Sequence, residues 1–165
     1  MKKILIAIVA CFCAASIGCG GAPKPKDLPE LYPATIKIVY DDGSPVEGAT
    51  VALRLPKATG GRVWNLTGVT DATGSLVLKT DGQWEGAPAG QYQVMVTKEV
   101  SELDQGNGEP GASATVKSIT RFVSQKYNDP TTSGLTVDIK EDKNGGNVFE
   151  LKVGEKIEED VKVLG

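Results

Sequence analysis

The chain contains no histidine in 165 residues. That absence removes the side chain that activates the nucleophile in Ser-His-Asp and Cys-His sites, and it removes His-ligated zinc and iron. Aromatic residues make up only 5% of the chain, which leaves few stacking surfaces for a base or a sugar. Positive charge is not in excess: the net charge is −3 and no stripe of Lys and Arg forms, so nucleic acid is not an expected partner. Long apolar runs are missing apart from one, Ile4 to Ile17, and that one is short for a spanning helix. Cofactors are not expected, because no ligand set for one is present.

What is present is a turn-rich, β-prone composition, with 20 glycines, 9 prolines, and many Thr and Val residues. The length suits one domain. Lys2 and Lys3 followed by the apolar run form an export signal that ends in small residues, Ala14-Ala15-Ser16-Ile17-Gly18-Cys19. Gly18 before Cys19 resembles a bacterial lipoprotein signal, although Ser16 stands where that family usually has Leu. The resemblance implies cleavage after residue 18 and diacylation of Cys19. A plain secretory signal cleaved near Ala14 or Ala15 is the alternative, and it would leave Cys19 as a free thiol. Cys11 and Cys13 depart with the signal, so no internal disulfide can form in the mature chain. A lone thiol in an oxidising compartment is a liability, whereas an acylated one is an anchor. The expected location is therefore the cell envelope, lipid-anchored on the periplasmic or outer face.

Residues 19–33 read as a tether, with four prolines and two glycines in GGAPKPKDLPELYP. The folded domain is expected over 34–153 and a charged tail over 154–165. Strands are predicted at Ala34–Tyr40, Ala49–Leu55, Arg62–Thr70, Ser75–Thr80, Gln91–Lys98, Leu135–Ile139 and Val148–Val153, from alternation and β-branched content. Asp41-Asp42-Gly43 reads as a hairpin turn between the first two strands. Val51, Leu53 and Leu55 are expected on one face, and Trp64 shares a core face with Leu66. Asp81–Gly90 reads as a loop, and residues 99–115 as a long exposed loop without periodicity. Val116–Tyr127 is ambiguous between a short helical turn and an irregular edge. Glu155–Leu164 is expected to add an edge strand or fray. About seven short strands with evenly spaced turns and no helix indicate an all-β sandwich.

Few residues are arranged for chemistry. The acidic turns at Asp41-Asp42-Gly43 and Asp71-Ala72-Thr73-Gly74 lack the alternating oxygen ligands and closing Glu of a calcium loop, and turn chemistry explains both. The carboxylate groups Asp41-Asp42 and Glu158-Glu159-Asp160 fall in a turn and a solvated tail. Lys126 and Ser133 are the nearest approach to a Ser-Lys dyad, and nothing in their spacing favours one. Asn65-Leu66-Thr67 matches a glycosylation sequon. Trp64 and Tyr92 are expected in the core, which leaves Trp84 as the candidate exposed contact residue.

Three stretches in order, GSPVEGATVAL (Gly43–Leu53), GVTDATGSLVL (Gly68–Leu78) and GAPAGQYQVMVTK (Gly86–Lys98), resemble the carboxypeptidase regulatory-like, transthyretin-like β-sandwich domain. With KYNDPTTSGLTVDIK (Lys126–Lys140) they look like the small lipoproteins of planctomycetes and similar bacteria that carry this domain alone. The resemblance implies a single Ig-like sandwich over about Pro33 to Val153 and no catalytic domain. Hydroxyisourate hydrolases and iron dioxygenases of similar fold need histidines that this chain lacks. The expected function is a non-catalytic, lipid-anchored structural or protein-interaction module, with the membrane and an envelope protein or glycan as partners. The alternative is a carbohydrate-binding module using loop aromatics such as Trp84.

Overall fold

The computed structural model describes residues 23–55, 62–104 and 115–162, so Cys19 and the export signal lie outside the described residues. In chain order the strands are β1 (Ala34–Val39), β2 (Thr50–Arg54), β3 (Leu66–Val69), β4 (Ser75–Val77), β5 (Lys79–Thr80), β6 (Trp84–Glu85), β7 (Gly90–Thr97), β8 (Glu99–Asp104), β9 (Thr115–Arg121), β10 (Thr136–Ile139), β11 (Asn147–Lys152) and β12 (Glu159–Lys162). One 3₁₀ turn, Gln125–Asn128, completes the elements.

A three-stranded sheet, β11-β1-β4, faces a six-stranded one, β10-β7-β2-β3-β5-β6. Alternation does the work in both. Ala34, Ile36 and Ile38 of β1 point inward, as do Val51 and Leu53 of β2, Tyr92, Val94 and Val96 of β7, and Val137 and Ile139 of β10. These side chains form one continuous cluster, and Phe149 and Leu151 of β11 pack against it from the edge. The protein is an all-β sandwich, and each of the seven predicted strands is found in it, some shortened or divided.

The first hairpin is not between β1 and β2. Asp41-Asp42-Gly43 does turn the chain back, with the Gly43 N–H on the Tyr40 carbonyl, but the returning arm reaches only Pro45 and Val46. Pro45 has no N–H with which to extend a ladder. The chain then crosses to the facing sheet, where β2 pairs with β3 and β7. Thr70 secures the crossing. Its buried hydroxyl donates to the Val46 carbonyl at 2.6 Å and accepts from the Ala49 N–H at 2.9 Å. The predicted strand Ser75–Thr80 likewise splits, since β4 pairs with β1 and β5 with β3. The switch occurs at fully buried Leu78.

A third sheet, β12-β9-β8, stands apart from this core. It replaces the loop expected at 99–115: Glu99–Asp104 and Thr115–Arg121 pair antiparallel, and β12 in the tail pairs on the other side of β9. Val100, Glu102, Leu103 and Val116 are all exposed, so the sheet has no dry face and the sequence no burial period to display. Residues 105–114, the rest of the expected loop, lie outside the described residues.

Strand register gives the sandwich two distinct ends. At one end the start of β1 meets Ala87 through the two-way Tyr32–Ala87 backbone pairing. The buried Asn147 side chain joins the sheets there. Its amide donates to the Pro33 and Lys140 carbonyls at 3.2 and 3.1 Å, and its oxygen accepts from the Lys140 N–H at 2.8 Å. At the other end the Tyr40 hydroxyl donates to the Phe122 carbonyl and Phe122 N–H to the Lys98 carbonyl. The third sheet springs from this second end. Asn147→Ala should cost about 1–2 kcal/mol in denaturant unfolding, because it leaves two carbonyls and an N–H at a half-buried joint without their partner. A loss below about 0.5 kcal/mol would show that the sheets are not joined by this side chain.

Candidate functional site

A wide hollow opens toward the end where β1 begins and runs along the six-stranded sheet to Met95. It has a volume of about 950 Å³, and its wall includes Arg54, Leu55, Arg62, Val63, Trp64 and Met95, with Asp27 and Pro29 of the tether at its margin. Leu55 was expected inward with Val51 and Leu53; it lies past the end of β2 and is 46% exposed. Val63 is 77% exposed. Trp64 does not join Leu66 in the core, because the β3 ladder begins only at Leu66. Its half-buried ring meets Trp84 edge to face, with centroids 6.4 Å apart and planes at 87°.

A small network holds the segment before β3. The Arg62 guanidinium lies 4.2 Å from the Trp64 ring centre and pairs with Asp81 at 3.2 Å. Asp81 also accepts the Asn65 N–H at 2.9 Å and gives its own N–H to the Asn65 carbonyl at 2.7 Å. Asp81 and Gly82 both have left-handed backbones, φ 50° and 70°, and the Gln83 N–H closes the turn on the Thr80 carbonyl. This is the Asp-Gly hairpin signal, met at a place that read as loop. It puts Trp84 on the edge strand β6, half-buried rather than free in a loop. Arg62 and Asp81 were not singled out from the sequence; only the Asp-Gly pair marked the turn that aims Asp81.

Tyr92 is where it was expected, buried in the core, with its hydroxyl donating to the Pro88 carbonyl at 3.0 Å. Burial pushes its pKa up to about 12, so it is neutral throughout the physiological range and does not exchange protons there. Ser133 is buried; its hydroxyl accepts the Leu135 N–H, while the Lys126 ammonium lies over the Tyr127 ring. Thr67 of the sequon donates to Asn65 at 2.7 Å. Among the described residues, no group of three or more Cys, Asp and Glu stands close enough to hold a metal ion.

The acidic turns share one construction. Asp42 accepts from the N–H and hydroxyl of Ser44, Asp71 from those of Thr73 and from Ser75 N–H, and Asp129 from the N–H and hydroxyl of Thr131. Side-chain hydrogen bonding from the neighbouring hydroxyl, followed by the backbone N–H groups, holds each of the three carboxyls below its ordinary pKa. One oxygen of each carboxylate, Oδ1, closes the turn. A depressed folded-state pKa means a stabilising contribution that is present above the unfolded value, near pH 4, and lost as pH falls through the folded one. Asp71→Asn keeps the acceptor oxygen and removes the charge. Its melting temperature should lie below that of the parent at pH 7, with the gap narrowing as the pH falls below about 4. A gap that stays constant with pH would refute the assignment.

No family model matches the chain, and no curated protein does either. Two solved structures have a distant likeness. BcpA, the major pilin subunit of Bacillus cereus, is similar over 78% of this chain at 19% identity, with a TM-score of 0.39. A 9R-lipoxygenase from Cyanothece PCC8801 is similar over 81% at 13% identity, with a TM-score of 0.34. The chain spans 30% and 18% of their lengths. Likeness at this distance decides nothing about chemistry.

Proposed function

We propose that this protein is a non-catalytic module of a bacterial envelope, anchored through acylated Cys19, that presents the β8-β9-β12 sheet to a protein partner. The supporting observation is the polarity of the fold. The chain from Cys19 reaches the sandwich at the end marked by Tyr32 and Ala87, and the third sheet springs from the opposite end. Anchoring at one end directs the other toward the aqueous compartment. That sheet has wet faces and two edge strands, the features by which sheets accept another chain.

The resemblance to the carboxypeptidase regulatory-like family is supported by where its motifs fall. Gly74 (φ 76°) sits so that an added Cβ would lie 2.5 Å from the Ile38 carbonyl oxygen, and at Gly86 (φ 93°) the Tyr32 carbonyl oxygen would be 2.7 Å away. Both glycines belong to the quoted stretches, and both allow a close backbone approach, Gly74 to β1 and Gly86 to the segment before it. The non-catalytic reading rests on the use already made of the polar groups: the Asp42, Asp71 and Asp129 carboxylates close turns, and Ser133 caps one. Carbohydrate binding through Trp84 is less favoured, because its ring is engaged by Trp64, whose own ring is attended by Arg62.

Cys19→Ser, or inhibition of lipoprotein signal peptidase, should move the protein from the membrane to the soluble fraction; unchanged fractionation would sink the anchor. Photo-crosslinkers at Val100 and Leu103 should give a discrete protein adduct in cells. One at Val148, exposed on the outer face of the three-stranded sheet, should not. Equal labelling at all three positions would remove the partner role of the third sheet.

A further inference from the structure

Several surfaces expose apolar side chains. Val77 and Val148 flank Thr35 outside the small sheet, and Val100, Leu103 and Val116 lie on the far one. Leu55, Val63 and Trp64 differ because they share a hollow with the residues that lead to the anchor.

Building on the anchored reading above, we infer that this end of the sandwich rests on the lipid surface, with Leu55, Val63 and Trp64 in the headgroup region of the bilayer. Pro23, the first described residue, is four residues from Cys19, and four residues span at most about 14 Å. The segment after it is not a free spacer. Leu28 N–H turns back on the Pro25 carbonyl, Lys24 to Leu31 border a hollow shared with Glu85, Glu30 pairs with Lys143, and Tyr32 is locked to Ala87. A tether fastened over this length cannot hold the domain clear of the membrane. The hollow, rimmed by Asp27 and Pro29, is therefore kept beside the acyl chains.

Chemistry agrees with position. Trp and Arg are side chains that settle at a membrane interface, with apolar bodies inward and polar ends in water. Arg62 over Trp64 is such a pair, and Val63 between them is almost fully exposed to solvent in the free protein. Lys24 and Lys26 at this end form no ion pair among the described residues and are available to anionic lipid phosphates.

The chain has two tryptophans, so Trp84→Phe leaves Trp64 as the single reporter. The lipidated Trp84→Phe protein is reconstituted in phosphatidylcholine–phosphatidylglycerol vesicles, with and without bromine on the upper acyl carbons. Trp64 emission should fall by about half in the brominated vesicles, as for an interfacial indole. Adding Val63→Asp should abolish most of that quenching while the protein still floats with the vesicles and keeps its β circular dichroism. Unquenched Trp64 in protein that floats would overturn the inference and leave the anchor standing. A Cys19 peptide without acyl mass would overturn the anchored reading, and this inference with it.

Discussion

A single chain can build two facing sheets only if it changes sheets without leaving backbone polar groups unpaired in the dry space between them. Here the burden falls on a few buried joints. Thr70 satisfies the Val46 carbonyl and the Ala49 N–H at one crossing, and Asn147 satisfies three backbone groups at another. Among the described residues no buried side-chain polar atom lacks a partner. The apolar cluster supplies the driving force for folding, but it has no direction of its own. The joints decide which strand faces which.

Much of this was legible in the residues. The alternation in QYQVMVTK placed Tyr92, Val94 and Val96 correctly because β7 is central in its sheet and one face of it is wholly buried. Periodicity failed where burial failed. EVSELD at β8 has water on both faces, so nothing in its pattern separates it from a loop. The hairpin signal at Asp41-Asp42-Gly43 was real but local. Turn chemistry fixes four residues, while the partner of the next strand depends on Pro45 and Thr70, and the latter is more than twenty residues downstream. The same limit hid Asp81-Gly82, whose flanking strands are two residues each.

The site was less legible than the fold. Trp84 was singled out as the aromatic in a loop, yet the structure places it against Trp64, a residue assigned to the core by parity with Leu66. Parity holds only while the ladder does, and β3 begins two residues too late to carry Trp64 inward. Arg62 and Asp81 are nineteen positions apart, and no local rule joins them. What could be read was narrower: with no histidine in the chain, no His-based triad or His-ligated metal site was to be expected.

Polarity is the property that the sequence did not show and that most constrains function. A lipid anchor alone gives only attachment, and a free tether of fifteen residues would let the domain tumble. For the anchored protein proposed above, fastening Glu30 to Lys143 and Tyr32 to Ala87 would turn attachment into orientation, because it shortens the free chain and fixes the end at which it arrives. The third sheet then needs no affinity for the membrane to be displayed. It lies at the opposite end of the sandwich from Tyr32 and Ala87, the length of β7 away, about 26 Å for eight residues. On the anchored reading proposed above, such a domain would work as a spacer with two unlike ends, and the sandwich between them would need only to be stiff.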